Sequence, residues 1–221
     1  MRKGAATRDR ILEIAEAAVL SKGFGATSIE ELITEAGLTK SGFFYHFKDK
    51  NELARGLLER HRQQNEALMA EVLGRARELS DDPLQVLLIG LTLLAERMAE
   101  LPGGHPGCMV ASLSYQDRLF DRGVRDLVAE LVHEWLTLIR VLVEEALAAH
   151  PVREAVDAEQ VARAITCAID GGIVMGKELG DPAILPQQIL MARSYVKMLF
   201  QTASLPHVVA RRSEVDLAGA A

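Results

Sequence analysis

The sequence predicts an all-α protein of about nine helices, with a small N-terminal domain followed by a larger helical one. Apolar residues recur every three to four positions through most of the 221 residues, and no stretch shows the alternation of a β-strand. The predicted helices are short before residue 50 and long after it. We therefore divide the chain into residues 1–50, residues 51–205 and a frayed tail, residues 206–221.

Composition and charge narrow the class of protein. Apolar residues make up 49% of the chain and charged residues 25%, as is typical of globular proteins. Because the sequence has neither a signal peptide nor an apolar run of the roughly 20 residues that a membrane span needs, we expect a cytoplasmic protein without a membrane partner. We also expect no cofactor. Cys108 and Cys167 are too few for a disulfide framework, and we predict two buried free thiols.

The charge is distributed unevenly along the chain. The net charge is −6, which argues against a protein coated in nucleic acid. Residues 1–50 nevertheless carry eight Lys and Arg against seven Asp and Glu, whereas the remainder carries 17 against 24. This asymmetry fits a small DNA-reading domain on an acidic body.

The first two predicted helices lie within the first 37 residues. The apolar spacing of residues 7–22 predicts a helix capped by Thr7 and ended at Gly23. Thr27 opens a predicted capping box for the second helix, and Gly37 ends that helix in a left-handed conformation.

The third predicted helix, about residues 39–46, holds the densest aromatic cluster. Four of the ten aromatic residues of the chain lie in the run FFYHF that begins at Phe43. Thr39 is the predicted N-cap, and the first turn carries small and basic side chains, which suit insertion into a DNA major groove. We predict that Phe44 and Phe47 pack inward. Two helices joined by a short glycine turn form a helix-turn-helix.

Longer helices follow in the body. Asp49, Pro83 and Asp157 mark predicted helix starts, and residues 102–107 form the stretch that most disfavours a helix. The predicted body helices cover residues 50–79, 84–101, 108–119, 123–149, 158–180 and 186–203.

Residues 38–50 also resemble the recognition-helix signature of the TetR family of transcriptional regulators. That signature opens with Ser/Thr-Lys-small-small, continues as apolar-aromatic-aromatic-His-Phe and ends in a Lys; here it is matched by Thr39 to Gly42, Phe43 to Phe47 and Lys50. The resemblance implies a homodimeric repressor that leaves a palindromic double-stranded DNA operator when a small-molecule effector binds.

Nine residues are candidates for contact with DNA. The first turn of the third helix supplies the base-reading candidates, because small residues let the backbone approach base edges. The family resemblance implies phosphate contacts for Tyr45, His46, Lys50 and Thr27. TetR proteins usually carry Tyr where this chain has Phe44, which we therefore interpret as packing. The full set is Thr27, Thr39, Lys40, Ser41, Gly42, Phe43, Tyr45, His46 and Lys50.

A stripe of small residues in the eighth predicted helix suggests a dimer contact. Gly within a helix costs about 1 kcal/mol relative to Ala, so a glycine stripe indicates that another helix approaches closely. That helix could belong to the same protomer or to its partner, and we predict the partner. The predicted interface comprises Val161, Ala164, Ile165, Ala168, Gly172 and Gly176 with Tyr195, Met198 and Leu199 of the last helix.

The resemblance also implies a small-molecule pocket in the body. Its candidate residues are soft, aromatic or isolated polar side chains, each of which could instead belong to the core: Cys108, Met109, Ser112, Tyr115, Trp135 and Asp170. Because Cys108 begins a predicted helix, a reactive sensor thiol is a further hypothesis.

Enzyme chemistry is not indicated. The chain has no Gly-rich phosphate loop, no nucleophile elbow and no His, Cys and carboxylate cluster at the spacing of metal ligands. The alternative to a DNA-binding regulator is an all-α ligand-binding or thiol-based sensor that does not itself read DNA.

Overall fold

The computed structural model describes residues 3–152 and 155–201, and these residues contain no β-strand. They form nine α-helices and one 3-10 turn, Asp117–Leu119. The helices are α1 (Lys3–Lys22), α2 (Ile29–Ala36), α3 (Lys40–His46), α4 (Lys50–Leu79), α5 (Pro83–Ala99), α6 (Met109–Ser114), α7 (Arg122–Ala149), α8 (Ala158–Leu179) and α9 (Ile184–Gln201). The all-α prediction is confirmed. The predicted tail, residues 206–221, lies outside the described residues.

The helix boundaries follow local capping chemistry. Thr39, Asp49 and Asp157 are N-caps as predicted, each accepting a hydrogen bond from a first-turn backbone N–H. Thr7 is not a cap, because α1 already begins at Lys3. In addition, the helix predicted over 108–119 ends after its first six residues and continues as the 3-10 turn.

The cap of α2 is one residue later than predicted. Ser28 accepts from the backbone N–H of Glu31, 3.1 Å away. Thr27 is 3% exposed, and its hydroxyl donates to the carbonyl oxygen of Gly23 at 3.0 Å. Gly37 ends α2 with φ of 65°, the left-handed conformation expected of it.

Two hydrophobic cores organise the chain. We call α1–α3 the head and α4–α9 the body. The head core joins α1–α3 to the start of α4, and it also includes Met109, Leu113 and Phe120 from the α6 region and Val124 from α7. The body core lies between α4, α5, α7, α8 and α9. Helix α6 therefore belongs to the body in sequence but packs into the head core.

Three polar contacts also tie the head to the body. Glu16 of α1 pairs with Arg60 of α4 at 2.8 Å. The backbone N–H of Gly25 donates to Gln116 Oε1 at 2.6 Å. Lys177 of α8 donates to a carbonyl oxygen in the last turn of α1 at 2.5 Å. No helix in the described part of the chain is long and apolar enough to cross a membrane.

Candidate nucleic-acid interface, cavity and dimer surface

Helix α3 is short, and its position is fixed by the turn that precedes it. After the left-handed Gly37, the Leu38 N–H donates to the carbonyl oxygen of Ile33 at 3.0 Å, which closes the end of α2. Thr39 then caps α3 by accepting from the Gly42 N–H at 3.1 Å. The two helices form the helix-turn-helix that the sequence predicts.

Two phenylalanines anchor α3 to the head core. Phe43 and Phe47 are each 0% exposed, and their ring centroids lie 5.8 Å apart. The Arg8 guanidinium of α1 lies 4.9 Å from the Phe47 ring centroid, a cation–π contact that ties α3 to α1. The prediction that the Phe43 side chain contacts bases is therefore wrong, because α3 turns this ring into the protein.

The neighbouring Phe44 lies on the outer side of α3. It is 36% exposed and touches Phe43 edge to face, with ring centroids 5.6 Å apart. The prediction that Phe44 and Phe47 form the inward pair is wrong, because the anchors are the residues at i and i+4, Phe43 and Phe47. The sequence prediction placed Phe44 on the buried side of α3 and Phe43 on the outer side, and the structure shows the reverse.

The outer side of α3 and the residues after it form a polar and aromatic surface, which we call the α3 surface. Tyr45 is 83% exposed, and its ring meets the half-buried His46 edge to face at 5.0 Å. The exposed members of the α3 surface are Thr39, Lys40, Ser41, Phe44, Tyr45 and Lys48. Sequence reasoning missed Phe44 and Lys48, although Lys48 stands beside the FFYHF run.

Two predicted phosphate contacts are not among the exposed residues of the α3 surface. Thr27 is buried, so its predicted role at the DNA surface is wrong: its hydroxyl already bonds the Gly23 carbonyl oxygen. Lys50 is half-buried, with its ammonium 5.4 Å from the Phe24 ring centroid. Gly42 is also half-buried, and a Cβ there would lie 3.2 Å from the capping oxygen of Thr39.

A second candidate site is a cavity of about 390 Å³ inside the body. Its walls come from α4, α5, α7 and α8 and from the α5–α6 loop, with one residue each from α6 and α9. Of the predicted pocket residues, Cys108, Trp135 and Asp170 line it. The volume is within the range of small-molecule sites.

The other three predicted pocket residues do not line the cavity. Met109 is 1% exposed and belongs to the head core. Ser112 donates its hydroxyl to the Cys108 carbonyl oxygen at 2.8 Å. Tyr115 is 83% exposed on the surface. The short α6 turns these residues away from the body interior, so their assignment to the pocket is wrong.

Polar groups that sequence reasoning missed also line the cavity. His61 and Asn65 of α4 are one turn apart and 3.2 Å from each other, and His105 comes from the α5–α6 loop. Burial lowers the pKa of both imidazoles, and the nearby His61 lowers the pKa of His105 further. The spacing of His61, Asn65 and Met69 on one face of α4 was the available signal.

Cys108 is not an activated thiol in this structure. It caps α6, with its sulfur accepting from the Ala111 N–H at 3.4 Å. Burial raises the pKa of the thiol, and the charge of Asp170 raises it further, so the hypothesis of a reactive Cys108 is not supported. Cys167 is exposed and Cys108 is half-buried, which corrects the prediction that both thiols are buried.

The glycine stripe of α8 packs within the protomer. A Cβ on Gly172 would lie 3.1 Å from Leu185 Cα, and one on Gly176 would lie 3.2 Å from the Asp181 carbonyl oxygen. Val161 and Ile165 are 3% and 0% exposed in the body core. The two glycines let α9 and the loop before it approach α8, and the two aliphatic residues are buried inside the protein, so the assignment of all four to an interface with a partner is wrong. Leu199 and Ala168 also pack against the body core.

A different side of α8 and α9 carries exposed apolar residues, which we call the outer α8–α9 surface. Ala164, Tyr195 and Met198 of the predicted interface are exposed there. A Cβ added to Gly171 would meet no neighbouring atom within 4 Å, so that side of α8 is open. The larger exposed residues of this surface are Val174, Met175, Leu179, Leu190, Met191, Tyr195 and Met198.

Two protein families match the chain at the regions described above. The family "Bacterial regulatory proteins, tetR family" matches residues 11–57, which cover the helix-turn-helix. The family "Tetracyclin repressor-like, C-terminal domain" matches residues 88–189, which include most of the body.

Curated relatives share shorter segments. The chain is 31% identical over 85 residues to the HTH-type transcriptional repressor BepR of Brucella suis, a match that covers 38% of this chain and 39% of BepR. It is 34% identical over 80 residues to the HTH-type transcriptional regulator TtgR of Pseudomonas putida, covering 35% of this chain and 36% of TtgR. The matches thus span under half the length of these relatives.

Solved structures share the fold over almost the whole chain. A TetR-family regulator from Agrobacterium tumefaciens superposes with a TM-score of 0.74 at 20% identity, covering 90% of this chain and 100% of that one. A TetR regulator from Chloroflexus aurantiacus gives 0.72 at 24% identity, covering 89% and 97%. These structures show the shared fold, and the two family matches, which together cover residues 11–57 and 88–189, show that the chain belongs to the TetR family of bacterial regulatory proteins.

Proposed function

We propose that the protein is a homodimeric transcriptional repressor that binds a palindromic DNA operator and leaves it when a small-molecule effector occupies the body cavity. The observation that carries the proposal is the α3 surface. Two buried phenylalanines fix a seven-residue helix so that lysine, serine and tyrosine side chains face outward. A rigid helix with this outer composition suits the major groove.

The residues of the α3 surface divide by what they can reach on DNA. Lys40 and Ser41 stand in the first turn of α3, where a helix N-terminus meets base edges. Tyr45 and Lys48 lie further along, where a hydroxyl and an ammonium can bond phosphate oxygens. Phe44 offers an apolar ring suited to a thymine methyl group. His46 and Lys50 are half-buried and remain proposed phosphate contacts.

The outer α8–α9 surface supports the homodimer. Its exposed apolar residues extend along both helices, and monomeric proteins seldom expose large contiguous apolar patches. A two-fold contact there would join two copies of the chain, each with its own α3 surface. Because such a dimer has two-fold symmetry, we expect a palindromic operator, with half-sites about 34 Å apart.

Helix α6 supports the link between effector and DNA. Its cap, Cys108, lines the cavity, whereas Met109 and Leu113 of the same helix lie in the head core. A ligand that displaces the start of α6 therefore also acts on the packing of the head. Such a ligand releases DNA only if it binds the DNA-binding and the released arrangement of the protein with different affinity.

The proposed binding to chromosomal DNA also supports a cytoplasmic location.

Gel-shift titration with the DNA flanking the gene of this protein tests the proposal. We expect a retarded band with that DNA and weaker binding to a scrambled fragment. Lys40→Ala and Tyr45→Ala should weaken binding about 10-fold or more, since contacts that involve a charged group contribute about 1.5–3 kcal/mol. Arg97→Ala, which removes an exposed cation of α5, is the matched control and should bind as the unaltered protein does.

The alternative function would give a different result. A ligand-binding sensor that does not read DNA would bind the flanking and scrambled fragments alike, and neither α3 substitution would change the binding. That outcome would remove the DNA-reading role and leave the cavity as the functional site.

A further inference from the structure

We propose that the body cavity takes an apolar molecule carrying one protonated amine, and that the carboxylate of Asp170 is the counter-ion of that amine. This inference rests on the proposed role of the cavity as an effector site and names the chemical class of the effector.

Asp170 is an acidic side chain that the protein leaves without a partner. It lies on α8 and lines the cavity, and the described residues offer it neither a hydrogen bond nor an ion pair. Thr166, one turn earlier on the same wall, already donates its hydroxyl to the Ala162 carbonyl oxygen at 2.9 Å. Asp170 is exposed, yet the surrounding protein desolvates the carboxyl enough to raise its pKa.

The rest of the cavity lining does not favour an anion. Among the described residues that line the cavity, Arg62 carries the permanent positive charge. Its guanidinium already forms ion pairs with three carboxylates, those of Glu59 at 3.3 Å, Glu130 at 2.9 Å and Glu134 at 3.1 Å. The His61 and His105 imidazoles favour the neutral form because burial lowers their pKa. An anionic ligand would thus meet a surplus of negative charge.

The apolar residues of the cavity lining suit the apolar part of such a ligand. Ile169 and Ile173 flank Asp170 on α8, and Trp135 and Leu138 line the cavity from α7. An aliphatic chain can pack among these side chains, and the Trp135 ring face attracts a cation. The exposed Asp170 carboxylate would hold the ammonium group, while the chain packs against the apolar lining.

The same residue should lower the stability of the free protein. A group whose pKa is raised in the folded state is harder to ionise there than in the unfolded chain, so its charge opposes folding at neutral pH. Asp170→Asn removes that charge and keeps the shape of the side chain. We expect it to raise the melting temperature of the ligand-free protein and to weaken binding of a cation.

The experiment uses the intrinsic fluorescence of Trp135, since it is the one tryptophan of the chain and lines the cavity. The probes are n-octylammonium chloride, 1-octanol and sodium octanoate, which share a chain length and differ in charge. We expect n-octylammonium to bind most tightly. Asp170→Asn should weaken its binding about 10- to 100-fold, because hydrogen bonds to charged groups have free energies of about 1.5–3 kcal/mol. Binding of 1-octanol should not change.

Glu178→Gln is the matched control, because it removes an exposed carboxylate from the same helix outside the cavity. It should leave all three affinities unchanged. The inference would be overturned if octanoate bound as tightly as n-octylammonium. It would also be overturned if Asp170→Asn and the unaltered protein had the same affinity for n-octylammonium. A gel shift in parallel separates the two proposals. DNA binding without a preference for the cation would contradict the inference alone. A preference for the cation without DNA binding would contradict only the DNA-reading function.

Discussion

The head and the body of this protein differ in what fills their interiors. The head core is closed by stacked aromatic and aliphatic side chains, with Phe43 and Phe47 completely buried. The body core surrounds a cavity whose lining includes neutral imidazoles and an unpaired carboxylate. A tightly packed head can hold the α3 surface in a fixed position. A body with a cavity can instead be stabilised by a ligand that binds in it.

Helix α6 is one of the elements that the two regions share, together with α4 and α7. It supplies the cavity with Cys108 and the head core with Leu113, so a change on the body side reaches the head through packed side chains. The comparison therefore predicts that substitutions in the head act on folding or DNA contact directly. Substitutions in the body should act on ligand binding, on the protomer interface or on the response to pH.

The largest effect is expected from Phe47→Ala in the head. Removing a completely buried phenylalanine costs about 3–5 kcal/mol, so we expect a large loss in the free energy of unfolding measured by urea denaturation. Phe44→Ala is the matched control on the α3 surface and should unfold almost as the unaltered protein does, while its DNA binding weakens. Similar stability losses for both variants would contradict the anchoring role of Phe47.

A smaller effect is expected in the body from Gly172→Ala. The new methyl group would lie 3.1 Å from the backbone of Leu185, and overpacking of this kind costs about 1–3 kcal/mol. Gly171→Ala is the matched control, since nothing lies within 4 Å of its Cβ position and Ala is favoured in a helix by about 1 kcal/mol. Urea denaturation should show opposite signs for the two variants. If Gly171→Ala instead dissociates the proposed dimer in sedimentation, a second copy packs against that side of α8.

The smallest effect is expected in the pH dependence of stability. Burial lowers the pKa of His61, against the opposing charge of Glu16, so the unfolded chain binds a proton more readily than the folded protein. Stability from this group is present above the ordinary His pKa of about 6.5 and is lost as the pH falls below it. We expect the free energy of unfolding to fall between pH 7 and pH 5, and His61→Gln to reduce that slope. An unchanged slope would contradict burial of a neutral His61.

The sequence was most informative where structure depends on neighbouring residues. Thr39 caps α3 and Gly37 ends α2 because a side-chain hydroxyl and a left-handed backbone act within a few residues. The presence and order of the helices could also be predicted, because the apolar spacing that indicates a helix lies within each segment. The choice between Phe43 and Phe44 as the buried ring depends on the rotation of a seven-residue helix against α1, which local spacing does not determine.

The cavity and the helix contacts depend on residues distant in the chain. His61 and His105 come together through the packing of α4 and the α5–α6 loop, and no local pattern joins them. The α8 glycines do indicate a close approach of helices, but the approaching helix is α9 of the same protomer. A stripe of small residues indicates proximity without identifying the partner.

The salt dependence of operator binding tests the central claim most directly, namely that the α3 surface contacts DNA. The logarithm of the binding constant should fall linearly with the logarithm of salt concentration, with a slope proportional to the number of phosphates contacted. Lys48→Ala should reduce the slope by about 1, as expected for the loss of one phosphate contact, whereas Arg97→Ala should leave it unchanged. Equal slopes for Lys48→Ala and Arg97→Ala, or binding that does not respond to salt, would contradict the account.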